Sequence, residues 1–237
     1  MSLLTVAQAI AEEVGLPTPS SIVGSSDRTA KQLLRLINRS GKRLAKKNWA
    51  ILQKENTFST VAGTASYSLP SDFDRLLDGT IWDRTAYWSL RGPLTPGQWQ
   101  VYKSGLVVSS TVRSRFRIKP DTRVNKFFLD PTPSAVVSMV FEYASDQWVK
   151  DSGNSTGRAA YAADTDIAII SEELIEMDCI WRLLNRKGFA YEEEKQEAER
   201  AIDLAFAEDG GAAVLDMGGP VMVPDFRMNV REGGFGS

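Results

Sequence analysis

A chain of 237 residues, 43% hydrophobic and 24% charged with a net charge of −2, has the composition of one large globular domain or a domain with an insertion, without the basic excess of a general nucleic-acid binder. The absence of His and the single Cys179 exclude Ser-His-Asp and Cys-His nucleophiles, His-ligated transition metals, Cys-cluster metal sites and an intramolecular disulfide. No apolar run approaches the ~20 residues of a membrane span, and Met1 to Ile10 lacks the basic and apolar regions of a secretory signal, so synthesis in the cytoplasm is expected.

Leu3, Leu4, Ala7, Ile10, Ala11 and Val14 recur at helical spacing and predict an amphipathic helix over 3–14, ended by Gly15, Pro17 and Pro19. Residues 16–26 read as a linker. A long helix is predicted from Asp27 to Lys54, with Ala30, Leu33, Leu34, Ile37, Leu44, Ile51 and Leu52 as its apolar stripe. Gly41 lies on that stripe and marks a kink or the close approach of another helix.

From Thr57 to Tyr143 the pattern changes to short β runs: 57–61, 80–83, 86–90, 106–109, 113–119, 125–130 and 135–143. Turn signals at Ala62-Gly63, Pro120-Asp121 and Asp130-Pro131-Thr132-Pro133 separate them, which predicts a small sandwich or partly closed barrel. Residues 145–164 read as a long polar loop. Ser171 is placed to cap a helix whose stripe is Leu174, Met177, Trp181 and Leu184 and which stops near Gly188. A last helix is predicted over Tyr191–Glu208, with Ala198, Ile202 and Ala205 inward. The fold class predicted is therefore α+β. Residues 1–56 and 165–209 form a helical bundle, 57–164 are a β-rich insertion, and 210–237 are an extended arm.

The segment Tyr67–Tyr102 holds three of the six Trp residues and two capping signals. Ser71-Asp72-Phe73-Asp74 has the S-x-x-D form of a capping box and predicts a short helical turn that buries Leu76 and Leu77. Thr95-Pro96-Gly97-Gln98 adds a Pro at the first helical position, predicting about two turns through Trp99 and Tyr102 with Gly105 as the cap. The segment reads as a rigid aromatic connecting piece.

Its order Leu69-Pro70-x-Asp72-Phe73, Ile81-Trp82-Asp83-Arg84, then Leu90-Arg91-Gly92-Pro93-Leu94-Thr95-Pro96-x-x-Trp99 resembles head-to-tail connector (adaptor) proteins of tailed bacteriophages, called tail tubular protein A in short-tailed phages. The resemblance extends more loosely over the remaining elements. It implies a structural virion protein at the head-tail junction, without catalytic residues, cofactor or membrane. It also implies a homo-oligomeric ring of about twelve copies between the portal and a tail tube or nozzle component, through which DNA passes without specific binding.

The candidate surfaces carry competing readings. The predicted long helix holds nine basic residues between Arg28 and Lys54 and no acidic one, while Ser171–Asp209 holds twelve acidic and five basic. The basic helix reads either as a nucleic-acid-binding module over 28–54 or as a face paired with acidic helices or subunits. Arg113, Arg115, Arg117 and Lys119 alternate along one strand, either meeting an acidic partner or DNA, as lumen or inter-subunit charge, or protecting an edge, with Phe116 and Ile118 inward. Glu192, Glu193, Glu194 and Glu197 concentrate the acidic excess and are expected at a channel lumen or against an adjacent basic helix. Asp72/Asp74 and Asp164/Asp166 have the spacing of paired acid and base groups, although capping explains the first pair and no third ligand accompanies the second. Cys179, among apolar neighbours, is expected to be an inert core thiol. In the arm, Val221, Val223, Phe226, Met228, Arg231 and Phe235 form a candidate partner interface, with Phe226 and Phe235 as anchors.

Overall fold

The computed structural model describes residues 1–104, 114–121, 124–153 and 156–210. Helix α1, Leu3–Glu13, begins at a capping box in which Ser2 and Thr5 exchange hydrogen bonds, and it buries Leu3, Val6, Ala7, Ile10 and Ala11. Helix α2, Arg28–Leu44, starts where the Asp27 carboxylate accepts from the Ala30 amide at 3.0 Å.

The predicted helix to Lys54 is too long. After Leu44 the amides of Lys46 and Lys47 turn back to the carbonyls of Arg43 and Leu44, and the Trp49 indole donates to the Leu44 carbonyl at 2.8 Å. These bonds occupy the last helical carbonyls and end the helix. A 3₁₀ turn at Ala50–Leu52 then leads into strand β1, Gln53–Ser59. Ile51, read as stripe, is exposed. Seventeen residues give α2 a length of ~25 Å.

Strands β2 (Ser66–Ser68), β3 (Phe73–Leu76), β4 (Trp82–Asp83) and β5 (Trp88–Ser89) precede helix α3, Pro96–Lys103. Strands β6 (Arg115–Asp121), β7 (Val124–Asp130) and β8 (Ser138–Ser145) follow. The capping box at Thr95 forms as predicted, with Thr95 and Gln98 each bonding the other's amide. The one at Ser71 does not: residues 73–76 form a strand that pairs with β8, and Asp72 turns inward. Antiparallel partners claim the backbone there, because β8 binds β1, β3 and β4 in one five-stranded sheet. A second sheet runs β2-β7-β6. Phe141 on β8 stacks on Phe127 of β7 at 6.0 Å, and Phe116 stacks on Phe127 at 5.2 Å, so aromatic rings join the two sheets as in a small sandwich. The expected run 106–109 and the Gly105 cap lie outside the described residues.

The polar stretch 145–164 is not simply a loop. Strand β9 (Val149–Lys150) lies between β10 (Gly157–Arg158) and β11 (Ile167–Ala168). Trp148 just before β9 is 1% exposed. Its ring lies over Gly41, where a Cβ would sit 2.1 Å from Cη2. The close approach expected at Gly41 is therefore made by this ring and not by a helix.

Helix α4 (Glu172–Lys187) ends at Gly188 in the left-handed region, and helix α5 (Glu192–Asp209) packs against it. Ser171 holds the N-cap position but makes no side-chain cap bond. Of the predicted α4 stripe only Leu174 is fully buried; Ile175, Cys179 and Leu183 complete the inner face. Because α4 packs against α1, α2 and α5, it buries a wider arc than one amphipathic stripe. Ala198 and Ile202 of α5 turn inward as expected. Helices α1, α2, α4 and α5, Trp148, Val149 and Tyr161 share one core, and the five-stranded sheet and the β2-β7-β6 sheet enclose the aromatic core.

Candidate assembly surfaces

The basic run after Arg28 divides into two parts. Near its end, Arg43 pairs with Asp178 of α4, Lys46 with Asp74 at 2.6 Å, Lys47 with Asp203 of α5 at 2.6 Å, and Lys54 with Asp72 at 2.6 Å. These cations bind the chain's own helices and sheet. Asp178, fully buried, also accepts from the Trp181 indole and from Arg182, each at 3.0 Å. Sequence reading missed this hub, although its place four residues after Leu174 and four before Arg182 marks a carboxylate on the inner face. Nearer its start, Arg28, Arg35, Arg39 and Lys42 are exposed.

Both carboxylate pairs are engaged by groups of the fold itself. Asp72 accepts from the Tyr143 hydroxyl at 2.9 Å, the Ser145 hydroxyl at 2.8 Å and Lys54. Burial raises its pKa, but these three bonds outweigh burial and hold the carboxyl below its usual range. Asp164 accepts from the amides of Ile22 and Val23, tying the linker between α1 and α2 to the rest of the core. Asp166, 1% exposed, accepts from Arg158 at 2.7 Å and from the Ala162 and Ala163 amides. Those bonds likewise outweigh burial and lower its pKa. Among the described residues no acidic cluster is placed to hold a metal ion. Burial pushes the Cys179 thiol up to about 12, the behaviour of a core thiol.

The connecting segment is built around buried anchors. Asp83 accepts from the amides of Thr85 and Ala86, both at 2.8 Å, and closes the β4–β5 hairpin. Tyr87 at its tip has φ 60° and is 75% exposed. Gly92 passes so close to Phe116 that a Cβ would meet the Phe116 carbonyl at 2.6 Å. Trp99 anchors α3 while Lys103 pairs with Asp130 at 2.5 Å.

Helix α3 also decides the fate of the alternating basic row. The Arg115 guanidinium lies 3.5 Å from the Tyr102 ring centroid and is buried, so it is no surface charge. Arg117 is half-buried, and Lys119 rests over the Phe128 ring. Phe116 faces the aromatic core and Ile118 packs against it. Strand β6 is the last in its sheet. Arg113 lies outside the described residues, as do Val221, Val223, Phe226, Met228, Arg231 and Phe235 of the arm.

Glu192, Glu193, Glu194 and Glu197 are exposed along the start of α5. Glu193 and Glu197 rim an open groove of about 550 Å³ between α4 and α5, with Met177, Ala201 and Leu204 as its apolar part. No helix among the described residues is long and apolar enough to cross a membrane.

The family model described as SU10 adaptor protein matches residues 1–223. None of the curated proteins matches the chain.

Proposed function

The chain belongs to the SU10 adaptor protein family, bacteriophage head-to-tail adaptors, and from that premise we propose that it forms the ring that joins the portal to the tail and extends the DNA channel. The observation that carries this reading is the reach of the family match, which takes in both helical parts and the β-rich segment. The work is assembly, not bond-making. Each site that sequence spacing offered for chemistry is used in the fold: Asp72, Asp74, Asp164 and Asp166 each hold neighbouring backbone or cations.

The ring is proposed to hold about twelve copies; head-to-tail contacts between identical chains close into a ring when the rotation per copy is a whole fraction of a turn. Passage of DNA favours a lumen without a continuous basic lining, since such a lining would retain phosphate. The arm at 218–237 is proposed to lie against the portal or a neighbouring subunit, with Phe226 and Phe235 seated in pockets and Arg231 at the rim. Many weak contacts repeated around a preformed template bind cooperatively through effective concentration. The isolated chain should therefore sediment near its own mass of 26.2 kDa, and should co-sediment with portal when the two are mixed. A chain that stays at its own mass and never moves with portal would overturn the reading.

A further inference from the structure

Arg28, Lys31, Arg35, Arg39 and Lys42 recur at three- and four-residue intervals, which places them on one face of α2. That face lies opposite the buried residues Leu33, Ile37 and Leu44. All five cations are exposed. The Lys31 ammonium reaches the Ser26 carbonyl at 3.2 Å; among the described residues the other four make no ion pair. A row of like charges repels itself unless an opposite surface meets it.

The opposite surface is present elsewhere on the same bundle. Helix α5 has two flanks. Glu199 and Asp203 face the end of α2 with Arg43 and Lys47. Glu193 and Glu197 stand on the other flank, over the groove shared with α4, where Arg200 also lines the wall, so the groove sets two carboxylates against one cation. Leu204, 63% exposed, adds apolar surface on which arginine stems can lie.

Two complementary faces on separate parts of one chain are what a head-to-tail contact between copies requires. DNA would satisfy the α2 face alone; a second copy satisfies both faces at once. We infer that the basic outer face of α2 docks into the acidic α4–α5 groove of the next copy. The contact is a property of the chain, and only its closure into a ring rests on the adaptor reading.

The test is carbodiimide cross-linking of a mixture of ¹⁵N-labelled and unlabelled full-length chain, free and bound to portal. On portal, mixed-isotope links should join Lys31 or Lys42 to Glu193 or Glu197, where the free monomer gives few, and their yield should fall roughly tenfold at high salt, because exposed charges are screened. Arg35→Glu/Arg39→Glu and Glu193→Lys/Glu197→Lys each change only exposed side chains. Either variant alone should lose the links and the association; mixing the two should restore association, since each then offers the other an opposite face. Association unchanged in either variant, or no rescue on mixing, would overturn the contact. Wild-type chain that occupies portal while its mixed-isotope links fall elsewhere would overturn it too, and would leave the adaptor reading standing. DNA binding that is lost in the α2 variant, with no mixed-isotope links in the wild type, would assign the face to nucleic acid instead. Wild-type chain that neither links nor joins portal would overturn both.

Discussion

Asp72 carries three donors from two strands: Lys54 at the start of β1, and Tyr143 and Ser145 on β8. Its carboxyl is held below the usual range, so its folded pKa lies under the unfolded value near 3.9. The stability it contributes is fully present above the unfolded value and is lost as pH falls through the folded one. Asp72→Asn should therefore cost about 2 kcal/mol at neutral pH, by the usual worth of hydrogen bonds to a charged group. The gap between wild type and variant should shrink below about pH 4. Urea unfolding at pH 7 and pH 3 checks this; an equal gap at both would show that the carboxylate charge is immaterial. The sequence displayed Asp72 as part of an S-x-x-D cap because local spacing carries no information about β8, some seventy residues on. Gly41 was legible as a place of close approach, but not Trp148 as what approaches. Cys179 was fully legible, since its apolar neighbours sit on its own helix.

Elements whose ends are set by local bonds were read well: α1 from Leu3, though its Ser2 cap was not read, α3 at Thr95 and the end of α4 at Gly188. The end of α2 was not, because Ile51 and Leu52 continue the helical period while β8 claims residues 53–59 as a strand. Likewise, β9 between β10 and β11 has too few residues per strand to leave a periodic trace in 145–164. The arm belongs to this scale as a proposal. On that proposal, a Gly- and Pro-rich sequence takes its order from the partner it meets. Deleting residues 218–237 should leave the circular dichroism of the rest unchanged and should weaken or abolish attachment to portal. Full occupancy of portal by the truncated chain would make the arm a passive terminus.

At the scale of the molecule, composition already pointed to charge pairing, and the structure divides that pairing. Arg43, Lys46, Lys47 and Lys54 close the fold on itself, whereas Arg28, Arg35, Arg39 and Lys42 face outward. Which cations fall in each class depends on where α2 stops, and so could not be read from the charge run. Outward cations and an acidic groove on one bundle fit a protein whose stable form is a set of copies held on a template. Electron cryomicroscopy of the full chain mixed with its portal tests this most directly. The account predicts a second ring stacked coaxially on the portal, with the helical bundles in head-to-tail contact around it. Bare portal rings beside unattached single chains would contradict it.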